Sequence, residues 1–471
     1  MESNKSLTGR SAVSAGDKAR NAQAARGSFV SAFGVIAATL GSAVGLGNIW
    51  KFPALTGANG GATFLLIYLL STLMVGLPVM IAELTIGRRS RANAITALQK
   101  VAPGGLPWWL IGASGVLAAF LILAFYTEVA GWVFAYIFKS VSGSILSTDP
   151  QVTSQAFTTL ITSPVQSLLW QWVVLVFVGF IIILGVTKGI EQTTKRLMPV
   201  LFLLLVILVI RSLTLPGAGE GLAFLFSPDF SKLNGDVLLA AMGLSFFKLS
   251  VGMGTMITYG SYFRADQNTP KTAATVMLAD LSVSILAGMA IFPAVFTFGF
   301  EPEAGPSLLF ITIPSIFASL PFGNVFVVMF FVLAAIAATG AMLSILEVPV
   351  AFLNERFGIA RSVATIATVV LLGLVGSTAA LSNSLMADFK LFGKTMFDLF
   401  DFSTSNVLLP IGGLFLAIFA GWVWSRKELF DELTNHGALN NTGIVRGFFF
   451  VIRFVTPLLV LLILLRGLGV I

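Results

Sequence analysis

Eleven stretches of largely apolar residues punctuate this sequence, near 30–52, 62–83, 107–138, 165–186, 195–215, 236–263, 272–299, 325–353, 362–381, 404–424 and 444–466. Each is roughly 20 residues or longer, about what a helix needs to cross the hydrocarbon core of a bilayer. In lipid, a backbone must satisfy its polar groups within its own segment, so runs of this length are helices rather than open strands. Hydrophobic residues make up 56% of the chain and charged ones only 10%, too little charge to keep a soluble domain dispersed. The expected fold class is an all-α polytopic membrane protein with about 11 transmembrane helices.

The net charge of +7 raises nucleic acid as a partner, and the location of the charges answers the question. With the N-terminus inside, 20 Lys and Arg fall on cytoplasmic segments, seven fall outside and one, Lys248, sits within a span. That asymmetry obeys the positive-inside rule, so no nucleic acid is implied and the partner is membrane lipid. An odd number of spans then places the C-terminus outside, in a bacterial-type inner membrane. Residues 1–26 mix Ser, Ala, Lys and Arg without the layout of a signal peptide and read as a cytoplasmic tail. The chain has no cysteine, which excludes disulfides, thiolate metal sites and cysteine nucleophiles.

Two spans are interrupted in a matching way. The first carries Gly41-Ser-Ala-Val-Gly45-Leu-Gly47-Asn48, and the sixth carries Ser250-Val-Gly252-Met-Gly254. Glycine at mid-span weakens a helix and frees backbone groups. The plain alternative is close helix packing. Breaks at corresponding positions of two five-span halves instead indicate a 5+5 inverted repeat with broken helices 1 and 6, whose half-helix ends face a site at the midplane. The halves run 27–215 and 216–424, and 425–471 holds a cytoplasmic loop and the last span.

The stretch Gly41 to Pro53, then Asn59-Gly-Gly-Ala62, closely resembles the first-span signature of the neurotransmitter:sodium symporter family, in the form of its bacterial eleven-span members. Pro78 to Gly87, Phe125-Tyr126 through Gly131-Trp132, Ile257 to Tyr262 and Ile291-Phe-Pro293 extend the resemblance, which runs from about Arg26 to the end. It implies a secondary active transporter of an amino acid or related amine working by alternating access. This family's bacterial leucine transporter is itself a type example of inverted repeats with broken helices, so the resemblance implies that architecture too. It places substrate against the backbone at Ala43, Leu46 and Gly47, the hydroxyl of Tyr126, and Phe247, Ser250 and Met253. Val44, Ile122 and Ile345 shape the side-chain pocket with Met253. Lys51 and Asp401 match an extracellular gate, while Arg26, Glu355 and Tyr262 match a cytoplasmic one.

The ion sites depart from the family pattern. At the first sodium site, Ala43, Asn48 and Asp280 fit, but Lys248 stands where the family supplies a Ser or Thr oxygen. At the second, the backbone positions Gly41, Val44 and Ala337 remain, yet Gly340 and Ala341 stand where two hydroxyls are expected, and Thr339 is one residue off. Leu244 and Ser284 do not complete a chloride site. A hard cation needs several oxygen ligands, so sodium is expected at a degenerate site only. Lys248 is expected to replace the first sodium, pair with Asp280 and contribute to the substrate site, making transport sodium-independent with proton coupling or exchange; Na+ or H+ is the expected coupling ion where there is one, and no organic cofactor is expected. A fixed Lys248–Asp280 salt bridge in a conventional sodium symporter is the alternative. Glu83, Glu128 and Glu347 are expected to pair or pack.

Other classes fit poorly. The single histidine, His436, lies in a polar loop, and neither an HExxH motif nor a phosphate loop is present, so the chain is not expected to be an enzyme or an ATP-driven pump. A channel is harder to dismiss from the sequence, although two opposed gates around a central break favour alternating access. A sensor that binds the same ligand without moving it is the remaining alternative.

Overall fold

In the computed structural model, residues 27–299 and 308–470 are described. The expected tail and the gate residue Arg26 lie outside them. Each of the eleven expected spans coincides with a helix or a broken helix pair. The first is α1 (Ala32–Ala43) and α2 (Gly47–Ala58), bent by 54° at the break. Next come α3 (Ala62–Ser90), the short α4 (Ala94–Val101), α5 (Trp109–Val141), the connector α6 (Pro150–Thr162), α7 (Pro164–Ile183) and α8 (Val186–Leu213). The second half opens with α9 (Ala218–Phe226), followed by the sixth span as α10 (Gly235–Lys248) and α11 (Thr255–Gly260). It continues through α12 (Thr269–Thr297), α13 (Leu308–Ala318), α14 (Gly323–Phe357), α15 (Arg361–Ala380) and α16 (Met396–Val423). The connector α17 (Arg426–Leu433) leads to the last span, α18 (Thr442–Gly467).

Local chemistry sets several of these boundaries. The hydroxyl of Ser31 accepts the N–H of Gly34 at 2.9 Å and opens α1. Asn268 accepts the N–H of Lys271 at 3.0 Å, with Pro270 in the first turn, and opens α12. Both caps satisfy donors that a helix start leaves without intrahelical partners. Half-helix α1 packs against α8, α12 and α14, while α10 and α11 both lie on α3. The two breaks are thereby buried at the centre, walled by α5 and α14, where irregular backbone is tolerated.

Candidate substrate and coupling-ion site

The broken backbone is satisfied by one local side chain and by others from distant spans. At the first break, the Gly45 N–H donates to Asn48 Oδ1 at 3.2 Å and the Leu46 N–H donates to the Tyr126 hydroxyl at 3.1 Å. At the second, the Gly252 N–H donates to Glu83 Oε1 at 2.6 Å, and the Ser250 hydroxyl crosses to the Ser42 carbonyl at 2.7 Å. Gly252 has φ +80°, and a Cβ there would meet the Leu409 carbonyl oxygen at 2.8 Å. Only glycine fits that position without strain.

Between the breaks lies a cavity of about 30 Å³, lined by nine of the expected pocket residues: Ala43, Gly47, Ile122, Tyr126, Phe247, Lys248, Ser250, Met253 and Ile345. That is room for a water or two. Val44 and Leu46 do not line it; Val44 is fully buried, and its N–H closes the end of α1 on Leu40. Ser42, Gly45 and Ala341 line it as well. The glycine run around the first break marked Ser42 and Gly45 in the sequence, whereas Ala341 was visible only as a missing hydroxyl.

Lys248 Nζ lies 3.2 Å from Asp280 Oδ2, with both side chains fully buried. It also donates to the Tyr68 hydroxyl at 2.9 Å and to the Ser284 hydroxyl, and lies 5.5 Å from the Phe52 ring centroid. Tyr68 is a partner that sequence reasoning missed; its one signal was being the single tyrosine of a largely apolar span. Asn48 is turned from the arrangement expected of a sodium ligand. Its amide nitrogen donates to Asp280 Oδ1 at 2.7 Å, and its oxygen is taken by the Gly45 N–H. A carboxylate only accepts and an N–H only donates, so these partners force that orientation.

At the second ion site, a Cβ on Gly340 would lie 2.6 Å from the Gly41 carbonyl oxygen. The backbones of α1 and α14 meet there, one turn from Ala337, and a serine or threonine side chain does not fit between them. The Thr339 hydroxyl donates to the Ala335 carbonyl of its own helix at 2.7 Å.

At the extracellular end the expected pair is not formed. Among the described residues Lys51 and Asp401 form no ion pair: Lys51 Nζ sits 4.3 Å from the Phe247 ring centroid, and Asp401 accepts the Ser405 hydroxyl at 2.8 Å. Lys51 and Phe247 line a vestibule of about 520 Å³ with Asp236 and Arg466 instead. At the opposite end, Tyr262 and Glu355 share a cavity of about 680 Å³. The Tyr262 hydroxyl donates to Glu347 Oε1 at 2.6 Å, beside Arg361 Nη1 at 2.9 Å from the same oxygen, and Glu355 accepts the Asn93 N–H at 2.7 Å. Glu347 and Glu83 are thus paired. Glu128 is buried with no hydrogen-bond partner on either oxygen among the described residues.

Known proteins resemble this chain in sequence and fold. The family model described as the sodium:neurotransmitter symporter family matches residues 26–159 and 151–470. An uncharacterized sodium-dependent transporter, YhdH of Bacillus subtilis, is 41% identical over 94% of this chain and 98% of its own length. The sodium- and chloride-dependent GABA transporter 2 of Homo sapiens is 25% identical over 83% of this chain and 72% of its own. The crystal structure of MhsT in complex with L-phenylalanine superposes with a TM-score of 0.87 at 42% identity, covering 94% of this chain and 100% of that one. These relatives are transporters rather than enzymes. With two broken helices around a central cavity and a vestibule at each end, this chain belongs to the sodium:neurotransmitter symporter family as a multi-pass secondary transporter.

Proposed function

We propose that this transporter carries an amino acid or related amine by alternating access, and that the tethered ammonium of Lys248 takes the place of the first sodium ion. The observation carrying the reading is the fully buried Lys248–Asp280 pair at 3.2 Å, in the wall of the central cavity. A fixed cation there supplies the charge that a sodium ion supplies in the family, next to where a substrate carboxylate would lie. That carboxylate would face the start of α2 and replace the bond between the Leu46 N–H and the Tyr126 hydroxyl. The amine would face carbonyls freed at the breaks. Ile122, Met253 and Ile345 line the side-chain end, and a relative is solved with L-phenylalanine, which supports an apolar or aromatic amino acid.

The close contact of Gly340 with the Gly41 carbonyl supports a weakened second sodium site, with a proton or exchange as the coupling. The sodium dependence named for the Bacillus subtilis relative supports a second reading, conventional sodium symport through one degenerate site. On either reading the elements around the two breaks move to open the central cavity to one side at a time. The charge distribution supports a cytoplasmic N-terminus, an extracytoplasmic C-terminus and an inner-membrane location.

The test is uptake by proteoliposomes of a labelled amino-acid panel under an inward sodium gradient, an inward proton gradient, and neither, with Lys248→Thr in parallel. Uptake indifferent to sodium, but altered by pH and by the substitution, is expected. Sodium-driven uptake in the unsubstituted protein would return it to ordinary symport. Saturable binding without uptake would make it a sensor.

A further inference from the structure

Arg453 stands in the last span, where α18 crosses the end of α16. Its guanidinium carbon lies 4.0 Å from the Trp422 ring centroid, 5.5 Å from that of Phe454 and 5.7 Å from that of Phe449. The Trp422 indole N–H donates to the Arg453 carbonyl at 2.9 Å and fixes the crossing. Arg426, just past the end of α16, stacks on Phe449 as well, at 4.9 Å. Two exposed cations, Lys427 and Arg446, lie on the adjoining segments.

None of these four cations belongs to an ion pair among the described residues. Arg453 Nε is buried without a hydrogen-bond partner among the described residues. Of the nearby carboxylates Glu432 holds Arg88 and Arg89, and neither Glu428, which accepts the Trp424 indole N–H, nor Asp431 pairs with any of the four cations among the described residues. An uncompensated charge in a membrane span is costly, so an anion from the surroundings is the missing partner.

The surroundings specify which anion. Trp422 is next to the last residue of α16, so the cluster sits at the membrane edge, on the face that the charge distribution assigns to the cytoplasm. Trp422, Phe450 and Phe454 are more than half exposed and form an aromatic surface towards lipid. Deeper along α16 runs an apolar groove of about 560 Å³, between Leu106, Trp108 and Ile111 on one side and Leu408, Ile411 and Phe415 on the other. Trp108 meets Phe419 at 5.5 Å, and Phe419 meets Trp424 at 6.4 Å, so aromatic contacts join groove and helix end.

We propose that Arg453 and Arg426 bind the phosphate of an anionic glycerophospholipid of the cytoplasmic leaflet, with an acyl chain in the groove between α5 and α16. A zwitterionic headgroup fits less well, because its own ammonium would lie among four cations. The guanidinium fork suits phosphate, and the flat aromatic stack holds its plane in place.

The test uses the full-length protein, delipidated in detergent, with phosphatidylglycerol, phosphatidylcholine of the same acyl chains, or inorganic phosphate. Native mass spectrometry and melting curves are the readouts. Phosphatidylglycerol is expected to survive collision energies that strip phosphatidylcholine and to raise the Tm, while inorganic phosphate does neither. Arg453→Gln and Arg426→Gln are each expected to cut retention of phosphatidylglycerol about fivefold. Arg426 is exposed, so that variant reports on the site even if Arg453→Gln fails to fold. Equal retention of the two lipids, variants that hold phosphatidylglycerol as the parent does, or a Tm rise from inorganic phosphate equal to that from the lipid would each overturn the proposal.

Discussion

Lys248 is surrounded by groups from three other spans: Tyr68 from α3, Asp280 and Ser284 from α12, and the Phe52 ring from α2. Its charge is balanced by one carboxylate, and that carboxylate is held in turn by the Asn48 amide at 2.7 Å. Removing one member of such a pair leaves the other buried and uncompensated. Lys248→Met is therefore expected to lower stability by about 3–5 kcal/mol, whereas Lys248→Met with Asp280→Leu recovers most of that loss. Melting curves of both variants in detergent check this, and a double variant no more stable than the single one would show that the pair is not the main cost. Glu128 behaves differently because it has no partner to strand.

At the scale of elements, the decisive feature is how closely α1 and α14 approach. Gly340 rests on the Gly41 carbonyl, and the 2.6 Å that a Cβ would have there is inside any normal contact. Gly340→Ser restores a hydroxyl to the second ion site in composition but not in space. It is expected to cost about 1–3 kcal/mol through overpacking, and sodium at constant ionic strength should not recover that loss. A sodium-dependent rise in the Tm of Gly340→Ser would show that the helices part readily and that a workable site forms. The opposite design appears at the second break, where Glu83 reaches from α3 to hold the Gly252 N–H, so the strained turn is supported from outside its own helix.

At the scale of the whole molecule, the central cavity of about 30 Å³ lies between end cavities of about 680 and 520 Å³. An amino acid enters only if the elements around the breaks separate. One latch on that motion is visible: Glu191 of α8 accepts the Val30 N–H at 2.8 Å, and the Ser31 N–H and hydroxyl at 3.2 and 3.0 Å, at the start of α1. A carboxylate at a helix N-terminus is favourable both as acceptor and as charge. Glu191→Gln is expected to weaken the latch by about 1–2 kcal/mol and shift the population towards an opened α1. Because the chain has no cysteine, Ser42→Cys, at a site buried here, gives a background-free reporter. Its reaction with a water-soluble thiol reagent should quicken roughly tenfold in the Glu191→Gln background; an unchanged rate would mean that Glu191 does not restrain α1.

Much of this architecture was legible without coordinates. Span positions follow from run length and hydropathy, because a helix in lipid must satisfy its own backbone, and the two breaks follow from glycines placed at mid-span, where they weaken the helix. The pairing of Lys248 with Asp280 followed from the family resemblance, which puts both at the first ion site, since by charge alone Glu83, Glu128 and Glu347 were equally available. What the sequence could not carry was orientation across long separations. Asn48 turning its amide rather than its oxygen to Asp280, Tyr68 reaching Lys248, Tyr262 choosing Glu347, and Lys51 lying on Phe247 instead of pairing with Asp401 each depend on where helices far apart in the chain come to rest. Composition and periodicity by themselves determined which segments enter the membrane and where their helices break. Only tertiary packing decided which polar groups meet there, because a hydrogen bond depends on angstroms and directions that no residue type specifies alone.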